Sequence, residues 1–196
     1  MSQNNFFIVC LMIIFGWSSV LLAEQNERPF VEGLEYQRID PPVPVGNSDG
    51  RVEIIELFLY ACPHCNALRP KLQAWAEKKS DVVVLRRVPA IVGAPWADQA
   101  RVFYTAQKLG ILETAHGALF KSIHDDGEQY ADDQSVMDFF IKQGVKPENF
   151  IQAFRSTEVD ENVSQARVLT VKYGIRGVPA IIVNGKYRTA QYFTGT

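Results

Sequence analysis

The chain has 196 residues, 47% of them hydrophobic, and a formal net charge of −2, values that exclude a disordered tail, a collagen and a repeat array. A near-neutral balance gives no broad positive field, so a nucleic-acid-binding role lacks electrostatic support. Without its apolar N-terminal segment the chain keeps roughly 170 residues, enough to bury about 70% of the unfolded chain's surface with no structural disulfides.

An uncharged apolar run extends from Phe6 to Ala23 and addresses a membrane. Two expectations stand open for it. A secretory signal peptide would be cleaved after Ala23, although no Lys or Arg precedes the run and Leu21 sits where a small residue is favoured. A retained N-terminal anchor is the alternative, because the run is near the minimum length that spans a bilayer. In either case residues 24–196 are expected as one domain in an exported compartment, where disulfides persist.

From Glu24 to Gly50 the sequence is polar and carries Pro41, Pro42 and Pro44, which predicts an irregular lead-in with one short strand near Tyr36 to Ile39. Arg51 to Tyr60 (RVEIIELFLY) combines β-branched and aromatic residues and predicts a buried strand. A helix is expected from about Cys62 to Lys79, kinked at Pro70, where a backbone donor is lost. Asp81 to Val88 (DVVVLRRV) predicts a second buried strand, completing a β-α-β unit with parallel strands. From about Ala94 to Tyr173 the signals are helical: Gly144 stops one helix, Pro147 opens the next, and Gly174 closes a last one over Val159 to Tyr173. Strand character returns at Pro179, and AIIVNGKY predicts a hairpin whose Asn184-Gly185 pair suits a tight two-residue turn. The layout is α/β: a β-α-β unit, a helical insertion at 94–173, then a β-hairpin.

Of three cysteines, Cys10 lies in the apolar run, which leaves Cys62 and Cys65. A disulfide closing so short a loop stabilises by about 2 kcal/mol on the chain-entropy estimate, against nearly 5 for a loop of about 100 residues. It would be a poor staple, so reactivity is the better reading of Cys62-Pro63-His64-Cys65 between a strand and a helix. A zinc site would need further ligands, and His116 and His124 fall on the helical block, where they read as ordinary helix residues. Trp75 and the aromatic residues of that block, Trp96 and Phe103 among them, are expected to line the core or a groove.

Thiol exchange needs a thiolate. A helix start offers Cys62 unpaired N–H groups and the positive end of the helix dipole. The dipole contributes up to about 2 kcal/mol, roughly 1.5 pKa units, so further donors are required. Pro63 suits the first helical position, the His64 and Cys65 backbones can donate, and an imidazolium at His64 would add charge. Cys62 is therefore expected to attack and Cys65, one turn deeper, to resolve the mixed disulfide. Holding the thiolate favours the reduced form, and each 1.4 kcal/mol makes the disulfide about 30 mV more oxidising.

ELFLYACPHCNALRP at 56–70 and GVPAIIVNGKY at 177–187 resemble the DsbA family of bacterial periplasmic thiol:disulfide oxidoreductases, over nearly the whole chain after the apolar run. The resemblance implies a thioredoxin-like fold with an inserted helical domain and a redox-active Cys62-Cys65 disulfide, with no dissociable cofactor and no metal. It implies that Val178-Pro179 is a cis-proline loop facing the disulfide, beside which an extended substrate segment pairs as an added strand. Glu56 matches the family's buried acid, which influences proton transfer at Cys65. A lysine partners that acid in the best-known members, whereas Leu85, Arg86 and Arg87 fall nearby here. Family members also continue into a helix after the hairpin. This chain stops at Thr196, so that helix is expected to be missing, leaving apolar sheet surface uncovered and the protein less stable.

The function this implies is disulfide donation to unfolded exported proteins with free cysteines, by a monomer that a membrane quinone-linked partner of the DsbB type reoxidises. A reductase or isomerase of the same chemistry and a peptide-binding holdase of the same fold are the alternatives.

Overall fold

The structure, a computed structural model, describes residues 29–46 and 49–190. The signal-or-anchor run and the chain beyond Ala190 lie outside the described residues. In chain order the elements are β1 (Gln37–Arg38), β2 (Val52–Phe58), α1 (Pro63–Lys78), β3 (Val83–Pro89), α2 (Ala94–Lys108), α3 (Leu112–His124), α4 (Asp133–Lys142), α5 (Pro147–Phe154), α6 (Thr157–Lys172), β4 (Ala180–Val183) and β5 (Tyr187–Ala190).

Every residue of β2 after Val52 is buried, the signature of a strand covered on both faces. β3 runs parallel to it, from Val52 opposite Val83 to Phe58 opposite Pro89, and α1 makes the crossover that a parallel pair needs. On the other side β4 and then β5 and β1 add antiparallel, giving the order β1-β5-β4-β2-β3. α1 passes through Pro70 as a single helix. It buries only Cys65 and Ala76 fully, and Trp75, expected in the core or a groove, is exposed instead.

Two local expectations are corrected. β1 pairs only at Gln37 and Arg38: the Ile39 N–H still reaches the Lys186 carbonyl at 2.8 Å, but Pro41 and Pro42 have no N–H with which to extend a ladder. In the hairpin, Asn184 and Gly185 do take positive φ, 51° and 66°, yet Val183 pairs with Tyr187, one residue beyond a two-residue loop. The added residue is Lys186, whose N–H donates to the Val183 carbonyl at 3.0 Å while its own carbonyl serves Ile39. A Cβ on Gly185 would lie 1.9 Å from the Val43 carbonyl oxygen, so only glycine fits there.

The five helices α2–α6 form the block inserted between β3 and β4. Proline lies in the first turn of α2 and of α5, where its missing N–H costs nothing. Asp132 and Ser135 cap α4 reciprocally. α6 begins at Thr157, ahead of the expected Val159, because the Ser156 hydroxyl caps the Val159 N–H. An aromatic cluster joins the block to the sheet: Phe58 meets Tyr60, Phe103, His116 and Phe120 at centroid distances of 5.0 to 5.9 Å.

Candidate active site

At the end of β2 the chain turns through Leu59–Cys62, with the Cys62 N–H donating to the Leu59 carbonyl at 3.1 Å. Cys62 is the N-cap of α1, in extended conformation, and Pro63 opens the helix. The first turn holds no acidic residue, so nothing there competes for its free N–H groups and positive dipole end. Cys62 is half-buried, Pro63 and His64 are exposed, and Cys65 is fully buried. The Cys62 thiol donates to the Val178 carbonyl at 3.5 Å. Val178 precedes Pro179 through a cis peptide bond, so the loop anticipated from the resemblance does lie against the cysteine.

Beneath this rim the chemistry changes. Burial pushes the Cys65 thiol far above its ordinary range, a hydrogen bond with the Leu59 backbone opposes the rise, and the nearby Cys62 and Glu56 add to it. Glu56 is 1% exposed. The register sets it opposite Arg87, whose Nε lies 3.3 Å from Glu56 Oε2. The buried acid thus has an arginine as its nearest basic partner, and Arg87 Nη2 also donates to Gln73 Oε1 on α1. Burial raises the Glu56 pKa, while Arg87 and then Arg69 pull it down. Arg69 stands over the Phe120 ring, 5.5 Å from its centroid.

Two residues read as ordinary in the sequence also meet the site. His116 and His124, both on α3, flank Tyr60: His116 Nδ1 lies 3.0 Å from the Tyr60 hydroxyl and His124 Nε2 lies 2.8 Å from the Tyr60 carbonyl. Gln99 on α2 accepts the Ala61 N–H at 3.0 Å. The sequence signal was the four-residue spacing of His116, Phe120 and His124, which sets all three on one helix face. A cavity of about 220 Å³ opens beside them, lined by Tyr60, Ala61, Gln99, Val102 and Leu119 among others.

Comparison with known proteins gives the same answer. A DSBA-like thioredoxin domain matches residues 53–196. The thiol:disulfide interchange protein DsbA of Pseudomonas syringae pv. tomato is 37% identical over 175 residues, 89% of this chain and 79% of that protein. Its namesake in Pseudomonas aeruginosa is 35% identical over 159 residues, 81% and 75% of the two chains. Among solved structures, P. aeruginosa DsbA superposes with a TM-score of 0.78 at 34% identity, covering 85% of this chain and 86% of that one. The oxidoreductase DsbA of Xylella fastidiosa gives 0.77 at 33% identity, covering 82% and 88%. The fold is thus thioredoxin-like with a helical insertion, and the chain belongs to the DsbA family of thiol:disulfide oxidoreductases, with Cys62 and Cys65 as its cysteine pair.

Proposed function

We propose that Cys62 is the exchanging sulfur and Cys65 the resolving one, in an enzyme that donates disulfides to exported proteins as they fold. The observation that carries this reading is the contrast in setting. Cys62 stands at the N-cap position of α1 against the Val178 carbonyl, whereas Cys65 is enclosed and burial pushes its thiol toward the protonated form. A client thiolate attacks Cys62 Sγ of the oxidised pair, the Cys62–Cys65 bond breaks, and Cys65 leaves as a thiolate that takes up a proton. A second client thiolate then attacks the client sulfur of the mixed disulfide, and Cys62 leaves as the thiolate at the helix start. The client loses two electrons and the enzyme gains them. Exposed His64 can add positive charge beside that thiolate, and Pro63 opens the helix without competing for a donor. Glu56, next to Cys65 in charge, influences the proton that Cys65 takes up and releases. An extended client segment pairs with the backbone at Val178 and Pro179 as an added strand.

The working compartment is the periplasm, a reading supported by the apolar run at 6–23 and by the family. The protein acts there as a monomer, and a membrane quinone-linked protein of the DsbB type withdraws the two electrons. The test is oxidation of a reduced, unfolded substrate by the purified protein and by Cys62→Ser. Equal activity in the two would defeat the proposal. A redox equilibrium with glutathione as reducing as that of a thioredoxin would favour the reductase reading instead.

A further inference from the structure

The β-turn Leu59–Cys62 has Tyr60 and Ala61 as its central residues. The peptide plane joining two such residues is the unit that turns over when a type I turn becomes a type II turn, and the turnover resets φ of the third residue, which leads into the fourth. Here both poles of that plane are held by the helical insertion. The Tyr60 carbonyl accepts a hydrogen bond from His124 Nε2 at 2.8 Å, and the Ala61 N–H donates to Gln99 Oε1 at 3.0 Å. The C=O and N–H of a trans peptide point in opposite directions, so the two side chains hold the plane from opposite sides. A carbonyl oxygen only accepts, which requires the proton of His124 to sit on Nε2.

The Tyr60 side chain is tethered as well, through its hydroxyl to His116 Nδ1 at 3.0 Å. Among the described residues other than glycine, Asn184 alone has positive φ, so Ala61 does not hold the positive φ that an overturned plane would demand. Cys62 follows directly. Its place as N-cap of α1 and its contact with the Val178 carbonyl both depend on the direction in which the turn delivers it.

We propose that His124 and Gln99 are positioning residues for thiol exchange, locking the Tyr60–Ala61 peptide so that Cys62 reaches the helix start in a single orientation. The inference rests on the exchange reading above. Neither side chain acts on sulfur directly. With the lock removed, the plane turns over in part of the population, Cys62 is no longer held in one orientation at the positive end of α1, and the reduced form loses stability relative to the disulfide.

The test compares His124→Ala, His124→Gln, His124→Asn and Gln99→Leu by redox equilibrium with glutathione, by the pH titration of the Cys62 thiolate in reduced protein, and by thermal melting. His124→Ala and Gln99→Leu are expected to make the disulfide less oxidising by about five- to tenfold in the equilibrium constant, the order of one hydrogen bond, with the thiolate titration moved to higher pH. His124→Gln, whose longer amide can place a donor where Nε2 sat, should return to within about twofold of the parent, while the shorter His124→Asn should resemble His124→Ala. Adding Ala61→Gly, which lifts the steric bar to an overturned plane, should deepen the His124→Ala defect. Should His124→Ala fail to fold, Gln99→Leu carries the test.

A melting temperature that falls while equilibrium and titration stay within about twofold of the parent would reduce both residues to structural supports and overturn the proposal. So would a His124→Gln no better than His124→Ala. A parent protein unable to exchange disulfides at all would overturn the exchange reading and the positioning role with it, whereas an active parent with unchanged variants overturns the positioning role alone.

Discussion

The rim and the floor of this active site use the same residue type in opposite ways. At the rim, Cys62 is half-buried, stands at the N-cap position of a helix and touches a backbone carbonyl. On the floor, one helical turn away, Cys65 is fully enclosed above Glu56, which Arg87 and Arg69 face. Exposure to a positive helix end favours an anion, whereas enclosure without a cation of its own disfavours one. The difference is what makes a pair of cysteines directional: one sulfur meets clients and the other stays a thiol until the mixed disulfide needs resolving.

The strongest way to break the comparison is to exchange the two sulfurs for oxygen in turn. Cys62→Ser should abolish oxidation of a reduced substrate. Cys65→Ser, offered a client that carries a disulfide, should retain attack by the Cys62 thiolate, with one client sulfur leaving as a thiolate. It should then accumulate the mixed disulfide that no Cys65 is there to resolve, visible by mass spectrometry after acid quenching. If the two variants trapped clients equally, the two sulfurs would share one role.

The next largest effect belongs to the floor. Removing one member of the Glu56–Arg87 pair leaves a buried charge alone, at a cost of about 3–5 kcal/mol, whereas replacing both with apolar residues of similar size should recover most of that loss. Glu56→Leu, Arg87→Leu and the double variant, compared by urea midpoint, check this. Additive losses in the double variant would mean that the pair does not act as a unit.

A smaller effect comes from His116, whose burial, ahead of the charges of Arg87 and Arg69, pushes its pKa down from 6.5 to about 3. Below 6.5 the unfolded chain binds a proton there that the native protein refuses. This contribution to stability is therefore complete above 6.5 and declines as the pH falls toward about 3, by about 1.4 kcal/mol per pH unit at most. Glu56 acts with the opposite sign, since its raised pKa lets the native protein hold a proton that the unfolded chain has released. In His116→Asn, urea midpoints across that range should show a shallower acid decline than the parent. An unchanged slope would mean that His116 is protonated in the native protein.

Much of this contrast was legible in the sequence, and the limits have physical causes. The run RVEIIELFLY, the Cys-Pro-His-Cys spacing after it and the Asn184-Gly185 turn each depend on local chemistry, so strand, helix start and hairpin were all foreseeable. The partner of Glu56 was not. Arg86 and Arg87 point to opposite faces of β3, and a slip of one residue in register would exchange them, so only the observed pairing of Glu56 with Arg87 decides. Lys186 escaped because the contacts of Ile39, far away in the chain, set the length of that loop. His116 and His124 escaped for a related reason, since they meet Tyr60 across 56 and 64 residues of chain, a separation that no window of sequence spans.

The most direct measurement is alkylation of the reduced protein with iodoacetamide over a range of pH, with the rate at each cysteine read by peptide mass mapping. Cys62 is expected to be modified at least about 100-fold faster than Cys65 at neutral pH, with Cys65 reacting only once the protein is unfolded. Equal rates at the two cysteines in the folded protein, or faster modification of Cys65, would contradict this expectation.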